Sequence, residues 1–463
     1  MADITSASVE GLRANLSGSV FLPGDAGYAD AVNIWNAAIA RRPGGVASCT
    51  SASDVAAALR HAVAEGLEVS VRGGGHNYSG SALTDGGLMI DLTPMKAISV
   101  DPGARRARCG GGATWGELDA ATQEHALAVP GGFISHTGVA GLALGGGLGW
   151  LSHYAGLSSD NLVGAEVVTP DGEIRRAGAD ADADLLWALR GGGGNFGVVT
   201  ELEFALHPVG PLVHLGLFMV EPSDGAALFR FAREYLTTVP DDCGVFLAGL
   251  SAPPAPFVPE DQHFTPKFAL AIVGLSDEAA HAELIAPVKA ALTPSVELVT
   301  PMPYVALQQM FDESAPWGFH AYEKAVYLDE LSDGAIAAIL EHQPKKISPL
   351  SFVPIFQLGG AYARVPDGDS AFGGRRSVQY VVNISAMTPT SEGFDAERQW
   401  ARDYWSALVP FAEGTASYVN FIAEADDDRV RAAYGDKYAR LAELKGRYDP
   451  ANTLHLNANI QPA

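Results

Sequence analysis

The chain of 463 residues carries 30 Lys+Arg against 54 Asp+Glu, a formal charge of −24, which excludes nucleic-acid binding driven by phosphate contacts. With 48% apolar and 18% charged residues it can bury sizeable cores, which speaks against disorder, and its length points to two domains. The 52 glycines are clustered without a collagen period, so they serve local backbone geometry.

Cys49, Cys109 and Cys243 are far apart and form no C-x-x-C, which supports neither a disulfide framework nor a zinc ribbon and fits a reducing compartment. The opening MADITSASVEGLRANL lacks a basic segment followed by an apolar one, and no apolar run approaches the ~18 residues of a membrane span. The expectation is a soluble cytoplasmic chain with no membrane partner.

Over 53–66, Val55, Leu59 and Val63 recur every four residues and Gly66 suits a left-handed cap, so a helix is predicted. A strand at 67–71 runs into Gly73, Gly74, Gly75 and His76. Strands follow at 87–92 and 97–100. Thr114 and Glu117 have capping-box spacing and open a helix to about His125. Residues 138–144 predict a short buried helix ending in the glycines at 145–147. A strand at 162–169, a turn at 170–173 and a returning strand come next. A helix at 182–190 leads into the glycines at 191–194 and a strand at 197–205.

Beyond Pro208 the glycine clusters largely cease. Strands are predicted at 213–220, 244–250, 268–274, 349–357 and 377–386, interleaved with helices at 223–237, 276–291, 333–342 and 391–409, which reads as a second domain of α+β type. From Tyr418 onward the pattern gives a helix at 427–445 and an extended tail over 454–462.

Glycine clusters at strand ends suggest phosphates, because backbone N–H groups approach an anion closely only where no Cβ intervenes. No P-loop is present. Gly192, Gly194 and Gly197 satisfy G-x-G-x-x-G, but they follow a helix and enter a strand, the reverse of the Rossmann order. H-E-x-x-H and G-x-S-x-G are absent, and His281-Ala282-Glu283 has no accompanying P-C-x-x-C, so metal and serine-hydrolase chemistry find no support.

What remains is an ordered set: VRGGGHNYSG over 71–80, TGVAGLALGGGLG over 137–149, DNLVGAEVVTPDG over 160–172, LWALRGGGGNFGVVT over 186–200, then YVNF over 418–421 and HLNANIQP over 455–462. Over essentially its whole length the chain resembles the FAD-linked oxidases of the vanillyl-alcohol oxidase superfamily, within them the berberine bridge enzyme-like group. The resemblance implies an α+β architecture. An FAD-binding domain of two subdomains spans 1–207, a substrate-binding domain with a helix-covered antiparallel sheet spans 208–416, and 417–463 returns to the FAD-binding domain.

The resemblance also assigns residues. The first loop, with Arg72, Gly73, Gly74, Gly75, Asn77 and Gly80, faces the FAD pyrophosphate, and His76 bonds covalently to the flavin 8α carbon. A lone histidine more commonly just hydrogen-bonds a loop; the motif around His76 favours the tether, which needs a neutral imidazole. Thr137, Gly138, Gly141, Gly145, Gly146, Gly194, Gly197 and Val199 match further cofactor contacts. Asn420, Asn457 and Asn459 are candidates to brace the isoalloxazine, with loop capping as the alternative. Many relatives add a cysteine tether where this chain has Ile134 beside Ser135, so attachment through His76 alone is expected.

Oxidation of an alcohol or amine by a flavin needs a C–H bond about 3–3.5 Å from N5 and a base for the hydroxyl or amine proton. The resemblance places Tyr418 and Gln379 there, with Tyr154 as a further candidate. A tyrosine base requires its phenolate to be stabilised, and Gln379 is the expected partner because strand alternation puts Arg376 on the other face. Relatives with a tyrosine pair carry tyrosine where this chain has Leu148. Tyr418 as an ordinary buried tyrosine is the alternative. Trp317, His320, Tyr322, Tyr380 and Tyr418 suggest a small-molecule pocket.

Thr137 stands where relatives gate oxygen, and its small side chain favours an oxidase releasing H2O2. A secondary-metabolite tailoring dehydrogenase or oxidative cyclase is the alternative chemistry, and a non-catalytic flavin-binding protein the alternative class. Sugar, alcohol, amine and polyketide substrates all stay open, as does the oligomeric state.

Overall fold

A computed structural model describes residues 6–377, 379–412, 417–424 and 426–463. The first sheet has four strands in the order Ser19–Phe21, Gly45–Ser48, Leu88–Asp91, Val69–Arg72, the last three mutually parallel. Its crossover helix, Ala52–Glu65, is capped by the Ser51 side chain at its start and by Gly66 at φ 63° at its end. Val55, Leu59 and Ala62 face the sheet while Val63 is 50% exposed. A four-residue spacing outruns the 3.6-residue turn, so the buried stripe drifts from Val63 to Ala62.

A second sheet of five antiparallel strands has the order Ile98–Asp101, Arg106–Gly110, Val198–Ala205, Leu162–Val168, Ile174–Gly178. The Thr114–Glu117 capping box opens the helix Trp115–Gln123, reciprocal bonds worth about 1 kcal/mol. The predicted helices at 138–144 and 182–190 are Val139–Gly145 and Ala183–Leu189.

The third sheet has seven antiparallel strands in the order Val296–Pro303, Leu212–Val220, Pro266–Gly274, Cys243–Ser251, Val353–Leu358, Gln379–Thr388, His320–Leu328. The predicted strand at 377–386 becomes Gln379–Thr388, with Val378 outside the described residues. Both edge strands escaped prediction. Helices Gly225–Tyr235, Glu278–Ala291, Asp333–His342 and Phe394–Leu408 contribute to a core on one face. On the other face Leu217, Phe246, Phe356 and Val381 pack with Leu148, Trp150 and Tyr418. This inner face looks onto the glycine-rich part of the chain.

The predicted helix at 427–445 is two helices, Asp427–Tyr434 and Tyr438–Tyr448, separated at Gly435, whose φ of 53° no regular helix accommodates. Val430, Tyr434, Leu441 and Ile460 join the core of Leu185, Leu189 and Phe196, so the end of the chain packs back onto the earlier sheets. Cys49, Cys109 and Cys243 are buried and unpaired. Among the described residues no helix is long and apolar enough to cross a membrane, and no cluster of three His, Cys, Asp or Glu side chains is placed to hold a metal ion.

Candidate functional site

The parallel strand Val69–Arg72 delivers its chain directly into the glycine loop, which turns at Gly75 with φ 69°. A Cβ on Gly74 would lie 2.2 Å from the Gly138 nitrogen, and one on Gly138 would lie 2.4 Å from the Gly74 nitrogen. Two backbones therefore touch where the first and second glycine motifs meet. They wall a cavity of about 510 Å³ that runs between the first loop, the 137–145 segment, the 193–199 segment and the tail around Asn457. Ser70 Oγ and Asn457 Oδ1 line it, buried and without a protein partner. Bare glycine backbone beside unpaired buried oxygens suits an elongated polar cofactor with phosphates and hydrogen-bonding rings, and FAD fits that description. Gly74→Ala is expected to abolish FAD uptake by driving the two loops apart; a variant as yellow per chain as the parent would overturn this.

His76, Gly73, Gly74, Gly75, Asn77, Thr137, Gly138, Gly141, Gly145, Gly194, Gly197, Val199, Asn420 and Asn457 all line this cavity. Four expected contacts lie elsewhere. Arg72 turns inward and donates to the Asp30 and Ala31 carbonyls. Gly80 forms a turn whose carbonyl accepts from Arg41. Gly146, at φ 137°, packs against Tyr418 and Phe372. Asn459 keeps a buried carbonyl oxygen without a partner but stands outside the lining.

One edge of His76 reaches the cavity while its ring is stacked on Trp35 at 5.3 Å and met edge-on by Trp317 at 5.5 Å. Its Nε2 lies 2.7 Å from Nδ1 of His136. Desolvation, with His136 adding to it, lowers the His76 pKa to about 3, so the ring is neutral throughout the physiological range. In the sequence, positions 134 and 135 draw attention as the missing second tether; their neighbour His136 carries no motif signal. In the fold Ile134 packs near Trp35, and Ser135 bonds Asp312.

Tyr418 is fully buried, and its hydroxyl accepts from the Gly147 nitrogen at 2.6 Å and from Asn420 Nδ2 at 2.8 Å. Burial still outweighs these donors and holds the phenol protonated, well above its ordinary range. Gln379 does not reach it: its amide donates to the Tyr362 hydroxyl and the Arg375 carbonyl. Arg376 lies before the strand begins and pairs with Asp160 at 2.6 Å, so strand alternation does not govern it. Tyr154 is half-buried against His207, its hydroxyl on the Pro208 carbonyl. The expected aromatic set does not converge either. Tyr322 and Tyr380 point into the helix-covered core, His320 meets Phe394, and Trp317 lies over His76.

The carboxylate the sequence did not reveal is Glu323, on the edge strand His320–Leu328 opposite Ser385. It is 1% exposed, its Oε2 accepts from Asn383 at 3.0 Å, and its Oε1 has no partner. Burial raises its pKa to about 8. It lies close enough to Tyr78 and Tyr418 to raise both phenols electrostatically. Tyr78 belongs to the His76 loop, and its hydroxyl is 3.0 Å from Ser385 Oγ. A buried carboxyl group thus hangs from the inner face of the sheet, between the His76 loop and Tyr418. Elsewhere on the same inner face, Phe133, Trp150, Phe246 and Phe356 form an apolar cluster, with Phe133 stacked on Phe356 at 5.1 Å.

Comparison with known proteins agrees with this geometry. The FAD binding domain family matches residues 43–178, and the family described as berberine and berberine like matches residues 417–461. The chain is 31% identical to (R)-6-hydroxynicotine oxidase of Paenarthrobacter nicotinovorans over 97% of either chain. It is 29% identical to an FAD-linked oxidoreductase of Dictyostelium discoideum, over 97% of this chain and 95% of that one. Among solved structures, 6-hydroxy-D-nicotine oxidase from Arthrobacter nicotinovorans superposes with a TM-score of 0.86 at 28% identity, covering 97% of this chain and 98% of the other.

Proposed function

The chain belongs to the FAD-linked oxidoreductases of the vanillyl-alcohol oxidase type with a berberine-like C-terminal segment, and on that premise we propose that it is an oxidase of small molecules. It removes the equivalent of a hydride from a C–H bond beside a hydroxyl or amine, and O2 takes the two electrons to give H2O2. FAD, when bound, supplies the two-electron acceptor. The protein's own residues hold it, orient the substrate and move one proton.

Single covalent attachment through His76 is part of this reading. A neutral imidazole whose edge reaches the cavity is a competent nucleophile, and Ile134 and Ser135 offer no sulfur for a second bond. The observation that carries the catalytic assignment is Glu323. In this reading its unpaired Oε1, near the Tyr78 and Tyr418 phenols, takes the hydroxyl or amine proton, and a carboxyl near pKa 8 is a far stronger base than an ordinary glutamate. Asn383 anchors the other oxygen and fixes the direction of the free lone pairs. Tyr418 keeps its proton and acts as a wall and hydrogen-bonding group. Thr137 lines the cavity, its modest side chain supports access of O2, and the name of the 31% identical relative supports an oxidase over a dehydrogenase.

The test is a screen of purified protein for peroxide release with sugars, alcohols, amines and polyketide phenols. One class is expected to give H2O2 in equimolar yield with oxidised product. Bleaching of the flavin by a substrate, unreversed by air, would instead make the protein a dehydrogenase.

A further inference from the structure

We infer that His136 positions His76 and accepts its proton when the covalent bond to FAD forms, and that Nδ1 of His76 is the atom bonded. This deepens the tether reading and rests on it. At 2.7 Å the His76 Nε2 and His136 Nδ1 atoms share one hydrogen, so one ring donates and the other accepts. With its Nε2 engaged by His136, the ring nitrogen of His76 left for a bond to the cofactor is Nδ1, and attack through it requires the tautomer in which the shared hydrogen sits on His76 Nε2 and His136 Nδ1 accepts it.

The arrangement is braced. The Asp312 carboxylate accepts from the Ser135 nitrogen at 2.8 Å and from Ser135 Oγ at 2.5 Å, pinning the residue next to His136. Trp35 and Trp317 fix the His76 ring from its face and its edge. As Nδ1 gives its lone pair to the 8α carbon, the Nε2 proton passes to His136, so the charge moves off the His76 ring toward the Asp312 carboxylate, whose charge favours a proton on His136. One methyl hydrogen leaves as a proton, its C–H electron pair passes to the flavin ring system, and dissolved O2 removes two electrons as H2O2. One C–H and one N–H bond are thereby replaced by one N–C bond.

The experiment compares full-length wild type, His136→Ala, His136→Asn and His76→Ala. Each is made under riboflavin limitation and mixed with FAD, and the flavin that survives acid precipitation is followed in time. Asparagine can accept the His76 hydrogen bond but cannot take a proton. Both His136 variants are expected to take up FAD, read from quenching of its fluorescence, yet to attach it at least tenfold more slowly. Free imidazole is expected to restore the alanine variant. NMR of the wild-type flavin peptide is expected to place the bond on Nδ1. Should the alanine variant not fold, the asparagine variant alone carries the comparison. Attachment at the wild-type rate in a folded His136 variant, or a bond at Nε2, overturns the inference and leaves the tether standing. Acid-labile flavin in wild type, or acid-stable flavin in His76→Ala, overturns the tether itself and this inference with it.

Discussion

Glu323→Gln is expected to slow flavin reduction by substrate by about 10²- to 10⁴-fold, the range that a positioned general base contributes, while the protein stays fully loaded with FAD. Gln keeps the shape of Glu and an oxygen for Asn383, so the cavity survives and only proton acceptance is lost. In the parent, the reduction rate is expected to rise with pH until the carboxyl has ionised, near pH 8; in the variant that limb disappears. Stability gives a second signature. Because burial raises the folded-state pKa above the ordinary value, the folded chain binds a proton that the unfolded chain releases, and stability falls as pH climbs from the ordinary carboxyl range through about 8. Above that range Glu323→Gln is therefore expected to melt at a higher temperature than the parent, and at pH 5 the two should nearly coincide. Stopped-flow reduction and thermal melts at both pH values measure these effects. A variant reduced as fast as the parent would pass the role of base to another group.

What the sequence disclosed, and what it withheld, follows from how each part of the site is built. The cofactor cavity is made of close backbone approaches, and those demand glycine at fixed places; Gly74 against Gly138 leaves a mark in the sequence that no other residue type can imitate. Glu323 leaves no such mark. It lies on an edge strand of the seven-stranded sheet, and both edges, His320–Leu328 and Val296–Pro303, went unpredicted. Glu323 and Lys324 stand side by side in one and Pro301 and Pro303 interrupt the other, so their hydrophobic alternation is broken. The meeting of site residues is also non-local: Tyr78 reaches Ser385, and Ser135 reaches Asp312, only after the sheet has packed over the glycine loops. Strand alternation does sort the sheet's tyrosines, sending Tyr322 and Tyr380 to the helix-covered face and Tyr327 to the inner one. It could be applied only once the register was known.

Lys445→Met is expected to cost about 3–5 kcal/mol of stability, the penalty for breaking a buried ion pair by removing one partner. Lys445 and Asp449 are both wholly buried, 2.7 Å apart. The ammonium spends its other two protons on the Asn195 carbonyl at 2.8 Å and the Leu454 carbonyl at 2.9 Å. Asp449 in turn accepts from the Thr453 and Leu454 nitrogens. Asn195 completes the knot, taking the Ile460 nitrogen on its side-chain oxygen and donating to the Ala458 and Gly192 carbonyls. One lysine thus joins the last helix, the glycine-rich turn before Val198 and the tail that carries Asn457 to the cavity. Met preserves most of the volume but leaves the Asp449 carboxylate buried without its counter-charge and the Asn195 and Leu454 carbonyls without the ammonium donor, and each loss carries its own desolvation penalty. Because those carbonyls belong to cavity-lining segments, the loss should not stop at stability. The variant is expected to bind FAD more weakly even where it remains folded, and added FAD should recover part of the lost melting temperature by mass action. Denaturant unfolding and FAD titration measure the two effects. A folded variant with unchanged FAD affinity would show that the knot secures the tail without shaping the cavity.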